Sequence, residues 1–447
     1  MQIIQNIRSR LFLFRSILYA QYIYNILLNK KYKKLVSYSV NYKKIIHINT
    51  ADKGGGAAKI ASDVCNYQQT HGYNSVLLVD EKKTISHNVF AIQQRHSKKQ
   101  DILYAAQKYL QWQDFFHLSS FKLLEYPQVK DADIIHLHNL HSWNGYFSIF
   151  ALPELCSRKQ VVWTLHDMQL LTGHCAYSFD CEKWEIGCGK CPYLDIYPKL
   201  TKDTTAFIWK TKKRIYQQCD MHIVVPSKWL QNIVSQSILS HLSCSLIYNG
   251  IDITIYKPHN KEDVRNKFNI PETAYVVLFS ADLGINNPFK GGEFIKQLIE
   301  YYQLYSNILF VNIGGGNSIV KYDKIWNIPY VQNEQEMSYW YSAADVYVYP
   351  SLADNCPLVI LEAMACGLPI VTFETGGIPE LVLHNETGYV AKYKDFNDLI
   401  FGFDFLYKNI DIRETMSTKA KRRVNEYFTI QRMCQEYQEL YDSLFLS

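Results

Sequence analysis

The sequence predicts an α/β protein built from two doubly wound domains in tandem. Three observations carry this. Short β-branched runs alternate with helical stretches, the pattern of parallel βαβ units. That pattern breaks at an Asn-Gly turn, Asn249-Gly250, and then starts again. A chain of 447 residues is also too long for one ordinary core and suits two of roughly 200 each.

The first strand is expected at "KKIIHINT" (43–50). "ADKGGGAAKIASDVCNYQQTHG" follows, with three glycines opening a helix from Ala57 and Gly72 closing it. Further buried strands are expected at 74–80, 133–140, 160–167 and 221–227, with helix between them, for instance over 202–219. After "LIYNGIDITIYKP" the strands resume at 274–280, 307–316, 345–351 and 368–377. From about Asp395 the chain reads as helical and charged. The divisions expected are an arm (1–42), an N-terminal Rossmann-like domain (43–247) with a Cys-rich insertion (174–198), a linker (248–258), a C-terminal Rossmann-like domain (259–425) and a closing helix (426–447).

Charge is unevenly placed. Residues 1–51 hold nine Lys or Arg and no Asp or Glu, and the rest holds 38 basic against 42 acidic residues. A mildly acidic body argues against a nucleic-acid groove. The basic arm fits an anionic membrane surface. Its apolar run is broken by Arg15, Gln21 and Asn25, so it reads neither as a transmembrane span nor as a signal peptide. The alternative is a helix packed on its own domain. With no secretion signal, the eleven Cys are expected to be mostly free thiols in a reducing compartment. The 34 Tyr read as compositional bias, not as a functional stripe.

In doubly wound sheets, ligands bind outside the carboxyl ends of the strands. The polar groups that stand out lie at such ends. Gly54, Gly55 and Gly56 could bring backbone N–H groups to a phosphate, or simply make a tight turn. "GGGAAK" lacks the spacing of the dinucleotide fingerprint, and no Gly-Lys-Ser or Gly-Lys-Thr occurs. Gly314 to Gly316 end another strand. Lys290, in "NNPFKGG", precedes a helix start, where a cation is unfavourable unless an anion is also bound. Asp354 lies in a loop eight residues before Glu362. Glu362 is the lone charge on an otherwise apolar stretch, Pro357 to Cys366, and a helix hydrophobic all round should be buried. A carboxylate there needs a partner, and carboxylates are good acceptors for sugar hydroxyls.

These residues carry a resemblance. "PSLADNCPLVILEAMACGLPIVTFETGGIPELV…ETGYV" resembles the retaining glycosyltransferases of family 4, which have the GT-B fold. "GGGAAK", "IIHLHNL", "WTLHD", "VPSKWL", "IYNGID" and "FKGG" occur in family order, so the resemblance spans roughly residues 44–430. "TLHDMQLLTGHCAYSFDCEKWEIGCGKCPYLDIYP" is similar to a subgroup found in bacterial capsule and exopolysaccharide synthesis.

The resemblance implies an acceptor domain followed by a nucleotide-sugar domain, with the active site in the cleft between them. It implies that Glu362 binds the donor ribose and that Asp354, where the family has Glu, contacts the donor sugar. Lys290 corresponds to the diphosphate-binding lysine. The arginine the family places about six residues earlier is absent from "SADLGINNPFK". His166 corresponds to a histidine near the reacting centre, with Asp167 after it. The catalytic set is then His166, Asp167, Asp354 and Lys290. The donor set is Glu362, Asp354, Asn355, Cys356, Lys290, Gly314, Gly315, Gly55 and Gly56. His136 and His138 also end a strand, with a structural role as the plainer reading.

The expected partners are a UDP- or GDP-linked sugar and a glycan or lipid-linked acceptor, at the inner face of the plasma membrane. No catalytic metal is expected. Cys175, Cys181, Cys188 and Cys191 have spacing feasible for a structural Zn²⁺, with disulfides or unpaired thiols as alternatives. Two rivals share such a site: a nucleotide-sugar epimerase or phosphorylase of the same fold, and a glycan-assembly scaffold that has lost activity.

Overall fold

The computed structural model describes residues 2–34, 44–92, 97–141 and 146–446. Its contacts divide the chain into two units. Unit one takes the chain to Pro226, then Leu230–Ile247 and the stretch from Glu436 onward. Unit two takes Ser227–Trp229 and Tyr248–Gln435.

Unit one holds β1 (Lys44–Ala51), β2 (Asn74–Glu81), β3 (Val89–Ala91), β4 (Ile134–Leu137), β5 (Gln160–Thr164), β6 (His222–Val225) and β7 (Cys244–Leu246). They lie in the order β3-β2-β1-β4-β5-β6-β7, all parallel. The Ile- and Val-rich runs follow from this, because a parallel sheet is covered on both faces. The order reverses between β1 and β4, which opens a crevice at their carboxyl ends.

Unit two holds β8 (Tyr275–Ser280), β9 (Ile308–Ile313), β10 (Val320–Tyr322), β11 (Ile325–Ile328), β12 (Val346–Tyr349), β13 (Ile370–Phe373) and β14 (Gly388–Ala391). Their order is β10-β11-β9-β8-β12-β13-β14, parallel except for the antiparallel pair β10 and β11. Here the switch falls between β8 and β12. Both sheets thus bear out the tandem doubly wound architecture.

Five strands escaped the sequence reading: β3, β7, β10, β11 and β14. All are three or four residues long. Residues 248–258 are not a free link. They group with unit two, where Ile251 forms a parallel bridge with Thr429 and Tyr256 is buried. The closing helix runs Ile430–Leu446, behind a separate helix Ile410–Tyr427.

The arm forms a helix, Gln2–Asn29. It packs on unit one through Ser16, Ala20, Tyr24 and Leu28, with the Tyr24 ring among Trp112, Phe115, Phe150 and Phe207. Leu18, Tyr22 and Ile26, four residues apart, remain exposed. Residues 35–43 of the chain, the end of the arm among them, lie outside the described residues. Among the described residues no helix is long and apolar enough to cross a membrane.

Candidate functional site

The carboxyl ends of β8 and β12 gather the second-half residues singled out in the sequence. Beyond β12 the chain turns at Pro350 and Ser351 and delivers Asp354, 7% exposed. Lys290 comes from the loop before the helix Gly292–Tyr301, where the Asn287 side chain accepts from the backbone N–H groups of Phe289 and Lys290. Lys290 Nζ stands 2.6 Å from Asp354 Oδ2 and 3.3 Å from the Ala353 carbonyl. Tyr349 Oη and Ser351 Oγ donate to the same Oδ2, at 2.8 and 3.2 Å. Oδ1 accepts no hydrogen bond among the described residues. One carboxylate oxygen is thus fixed by three donors, while the other remains free to accept.

The backbone of this loop is clamped by glycine. A Cβ on Gly376, whose φ is 53°, would lie 1.9 Å from the Asp354 carbonyl oxygen. Any larger residue would push Asp354 off Lys290. Asn355 accepts from Ser227 Oγ at 2.5 Å, and the Cys356 carbonyl accepts from Asn249 at 3.0 Å. These contacts give Asn355 and Cys356 structural work in holding the loop.

Glu362 lies on the helix Leu358–Ala365 among Ile360, Leu361, Ala363 and Met364, all fully buried. Glu362 itself is 9% exposed. Tyr341 Oη donates to Glu362 Oε2 at 3.0 Å, and the Tyr256 phenol also hydrogen-bonds to Glu362. Burial and then the Glu362 charge push both phenols well above the usual tyrosine range. Each phenol therefore keeps its proton and serves as a donor. A hydrogen bond to a charged group contributes about 1.5–3 kcal/mol. Glu362 also acts electrostatically on Tyr330, just beyond β11, whose ring is 59% exposed. Gly314 and Gly315 end β9, and a side chain on Gly314 would strike the Ala281 carbonyl, so Gly314 serves the packing of the strand ends.

Unit one brings four histidines together at its own switch point. His47 of β1 pairs in register with His136 of β4. His47 Nε2 lies 2.8 Å from Gln68 Oε1, His47 Nδ1 3.1 Å from His138 Nε2, and His138 Nδ1 3.1 Å from His166 Nε2. Burial lowers His47 and His166 to about 4 and takes His138 well below its ordinary value, so these rings are neutral near pH 7. The Gln68 oxygen can only accept, so His47 carries its proton on Nε2. Each following ring then accepts on Nδ1 and donates from Nε2. This order puts the His166 proton on Nε2. His136 is held by Thr164 at 2.7 Å and Tyr441 at 2.6 Å, the structural role expected for it.

Asp167 is buried and committed. His141 Nε2 stands 2.9 Å from its Oδ2, and Gln169 N–H donates to its Oδ1. Burial alone would lower His141 and raise Asp167, but their mutual attraction reverses both shifts. Asp167 therefore holds the loop after β5 in place. Gly55, with φ 81° and ψ 163°, occupies a region open essentially only to glycine, and nothing lies within 4 Å of where its Cβ would be. Gly56 begins the helix Gly56–Thr70 behind it. His47, His141, Tyr256, Tyr341 and Tyr349 were not singled out in the sequence. A histidine inside a strand and scattered tyrosines give no local signal.

Among the described residues, His47, His136 and His138 form a group whose donor atoms lie within 4.8 Å of one another. All six ring nitrogens already have hydrogen-bond partners, so the trio is a buried hydrogen-bond network with no lone pair to spare for a metal. Cys175, Cys181, Cys188 and Cys191 line a separate cavity in unit one, and all four are free cysteines.

Residues 54–255 match the family described as Glycosyltransferase Family 4, and residues 260–423 match Glycosyl transferases group 1. A protein of Escherichia coli K12, named provisionally as the colanic acid biosynthesis glycosyl transferase WcaC, is 24% identical over 326 residues, 70% of this chain and 76% of its own. The N-acetyl-alpha-D-glucosaminyl L-malate synthase of Bacillus anthracis is 23% identical over 335 residues, 72% of this chain and 77% of its own. Among solved structures, sucrose-phosphate synthase from Thermosynechococcus elongatus aligns with TM-score 0.68 at 18% identity, covering 90% of this chain and 99% of that one. Anabaena HepE in complex with UDP and glucose aligns with TM-score 0.63 at 15% identity, covering 90% and 100%. The chain belongs with the group 1 glycosyltransferases of the GT-B fold.

Proposed function

We propose that the protein is a retaining glycosyltransferase that moves a sugar from a UDP- or GDP-linked donor to a glycan or lipid-linked acceptor in cell-surface polysaccharide assembly. The observation that carries this reading is the Lys290–Asp354 pair at the β8/β12 switch point, with Glu362 on the helix that follows the Asp354 loop. A cation, a carboxylate with one free oxygen, and a second carboxylate set by phenols match a diphosphate, a sugar and a ribose in turn. The UDP-bound relative of the same fold supports the donor class. The WcaC name supports a surface polysaccharide.

On this reading Glu362 accepts the ribose hydroxyls, and the exposed Tyr330 ring offers a platform for the base. Asp354 Oδ1 accepts a hydroxyl of the donor sugar. Lys290 neutralises the diphosphate as it leaves, the role that fixed positive charge plays where negative charge develops. The acceptor oxygen bonds to the anomeric carbon as the bond from that carbon to the phosphate oxygen breaks. The acceptor proton passes to the departing phosphate on the same face. His166 is assigned to the reacting centre, with Asp167 holding its loop. Gly55 leaves open space in front of the helix that Gly56 begins, suited to phosphate.

The arm would seat the enzyme at the inner face of the plasma membrane. Leu18, Tyr22 and Ile26 form an exposed apolar stripe on its helix, and Lys30, Lys31, Lys33 and Lys34 follow. Liposome flotation with and without residues 1–40 tests this, and unchanged binding would remove the arm from the account. The transferase reading is tested by incubating the protein with each nucleotide sugar and candidate acceptors, and reading the product's anomeric configuration by NMR. Retention supports the proposal. Interconversion of donors without acceptor would mark an epimerase instead.

A further inference from the structure

The Cys-rich insertion after β5 is not used by the reading above. Cys175, Cys181, Cys188 and Cys191 line one cavity of about 20 Å³, together with His174 and Trp184. That is roughly the space of one water-sized sphere.

The surroundings are arranged around the sulfurs. Cys188, Gly189 and Lys190 take successive left-handed conformations, with φ of 54°, 92° and 45°, and this turn presents Cys188 and Cys191 to the same space. The Gly173 N–H donates to Cys188 Sγ at 3.2 Å, the kind of bond a metal-bound sulfur takes. His174 Nδ1 lies 2.9 Å from the Pro198 carbonyl, which can only accept, so that nitrogen carries the ring's proton. Its Nε2 faces Cys191 Sγ at 3.4 Å. That Nε2 is then an acceptor, and it takes the Cys191 S–H while the thiol keeps its proton.

A separate observation concerns charge. Lys212 is 1% exposed, and among the described residues its Nζ is bonded to the Gln169 and Thr172 carbonyls, with no carboxylate at ion-pair distance. Buried Asp114 is the largest charge favouring its ammonium, followed by Cys188 and Cys175. Four thiolates around one divalent cation carry a net charge of about −2, which offsets a buried ammonium.

We propose that Cys175, Cys181, Cys188 and Cys191 bind one structural Zn²⁺ tetrahedrally, with His174 braced against Cys191 outside the ligand set. The thiols are not as tightly gathered as the histidine trio, so the metal draws them in around the cavity. Each thiol gives up its proton to solvent as its sulfur binds, and no redox partner is needed. Four protein ligands close the coordination shell, so the ion holds structure and does no chemistry.

The test uses the full chain, purified without chelators. Elemental analysis should find ~1 zinc per chain. Titrating Co²⁺ into the zinc-stripped protein should give the intense visible bands of a tetrahedral thiolate site. Replacing Cys188 or Cys191 by Ser should abolish both signals, whereas His174→Ala should retain the metal with weaker affinity. Zinc below about half an equivalent together with a colourless Co²⁺ titration would overturn the proposal. So would alkylation mass spectrometry showing disulfides among the four, and loss of the metal in His174→Ala would overturn the ligand set. None of these readouts depends on transferase activity.

Discussion

Lys290 Nζ stands 2.6 Å from Asp354 Oδ2, although 64 residues separate the two in sequence. Two unlike loops are joined there by a half-buried ion pair, with the lysine side chain 23% and the aspartate side chain 8% exposed. A donor diphosphate would arrive at a lysine already oriented, and would share its charge with Asp354. With no arginine six residues before Lys290, that orientation matters more.

A double-mutant cycle of Lys290→Ala and Asp354→Asn should therefore show coupling, on the order of 0.5–3 kcal/mol in stability. Lys290→Ala alone should lower kcat by roughly 10²–10³, as removal of one charge-stabilising donor does elsewhere. Additive effects in urea unfolding would mean that the pair does not hold the loop.

Tyr341→Phe removes the phenol that donates to Glu362 at 3.0 Å while keeping the ring. Leaving a buried carboxylate short of a donor costs about 1–3 kcal/mol. Donor affinity should fall with it, because Glu362 is then free to turn. A variant with unchanged stability and unchanged donor binding would show that Tyr341 does not set this carboxylate.

The buried histidines predict acid sensitivity. His47 and His166 titrate at about 4 in the fold against 6.5 when unfolded, and burial also holds His136 and His138 well below 6.5. The unfolded chain therefore binds more protons below pH 6.5, and stability should fall as pH drops from 6.5 towards 4. Each histidine adds a slope of up to about 1.4 kcal/mol per pH unit. The His141–Asp167 pair works differently. Its contribution is complete between 3.8 and 6.5, because His141 is raised above 6.5 and Asp167 lowered below 3.8. Melting temperatures across this range should fall less steeply for His138→Gln than for the wild type.

If the four cysteines hold the proposed zinc, chelation should lower the melting temperature and loosen the loop that carries Asp167. Met168 N–H donates to the Ala176 carbonyl, and Ala176 N–H to the Tyr197 carbonyl, so the insertion and that loop share backbone bonds. Hydrogen exchange over 166–176 should rise on chelation. No change there would uncouple the insertion from the loop.

The long buried strands were legible because β-branched runs between polar ends have few other readings. β3, β7 and β10 were not, since three residues carry no period. The change of unit falls at Ile247–Tyr248, beside the Asn249-Gly250 turn, but that residues 248–258 group with unit two was hidden, because Ile251 pairs with Thr429, a partner no local pattern reveals. Lys290 and Glu362 were legible as charges where the dipole or the apolar surroundings disfavour them, and Asp354 as a carboxylate in the loop at a strand end. Their phenolic partners were hidden by abundance. With 34 Tyr in the chain, none stood out, yet Tyr73, Tyr248, Tyr302, Tyr341, Tyr349 and Tyr389 each donate to a carboxylate. Tyrosine here does work that lysine or arginine does elsewhere, and only the fold shows which ones.

The central claim is that Glu362 is a ribose acceptor in a nucleotide-sugar site. Its most direct test is a thermal-shift screen of UDP-, GDP- and ADP-sugars on the wild type and on Glu362→Gln, which keeps the shape and removes the charge. The account predicts stabilisation by one nucleotide class in the wild type and its loss in the variant. Equal stabilisation of both proteins by the same nucleotide sugar would contradict it.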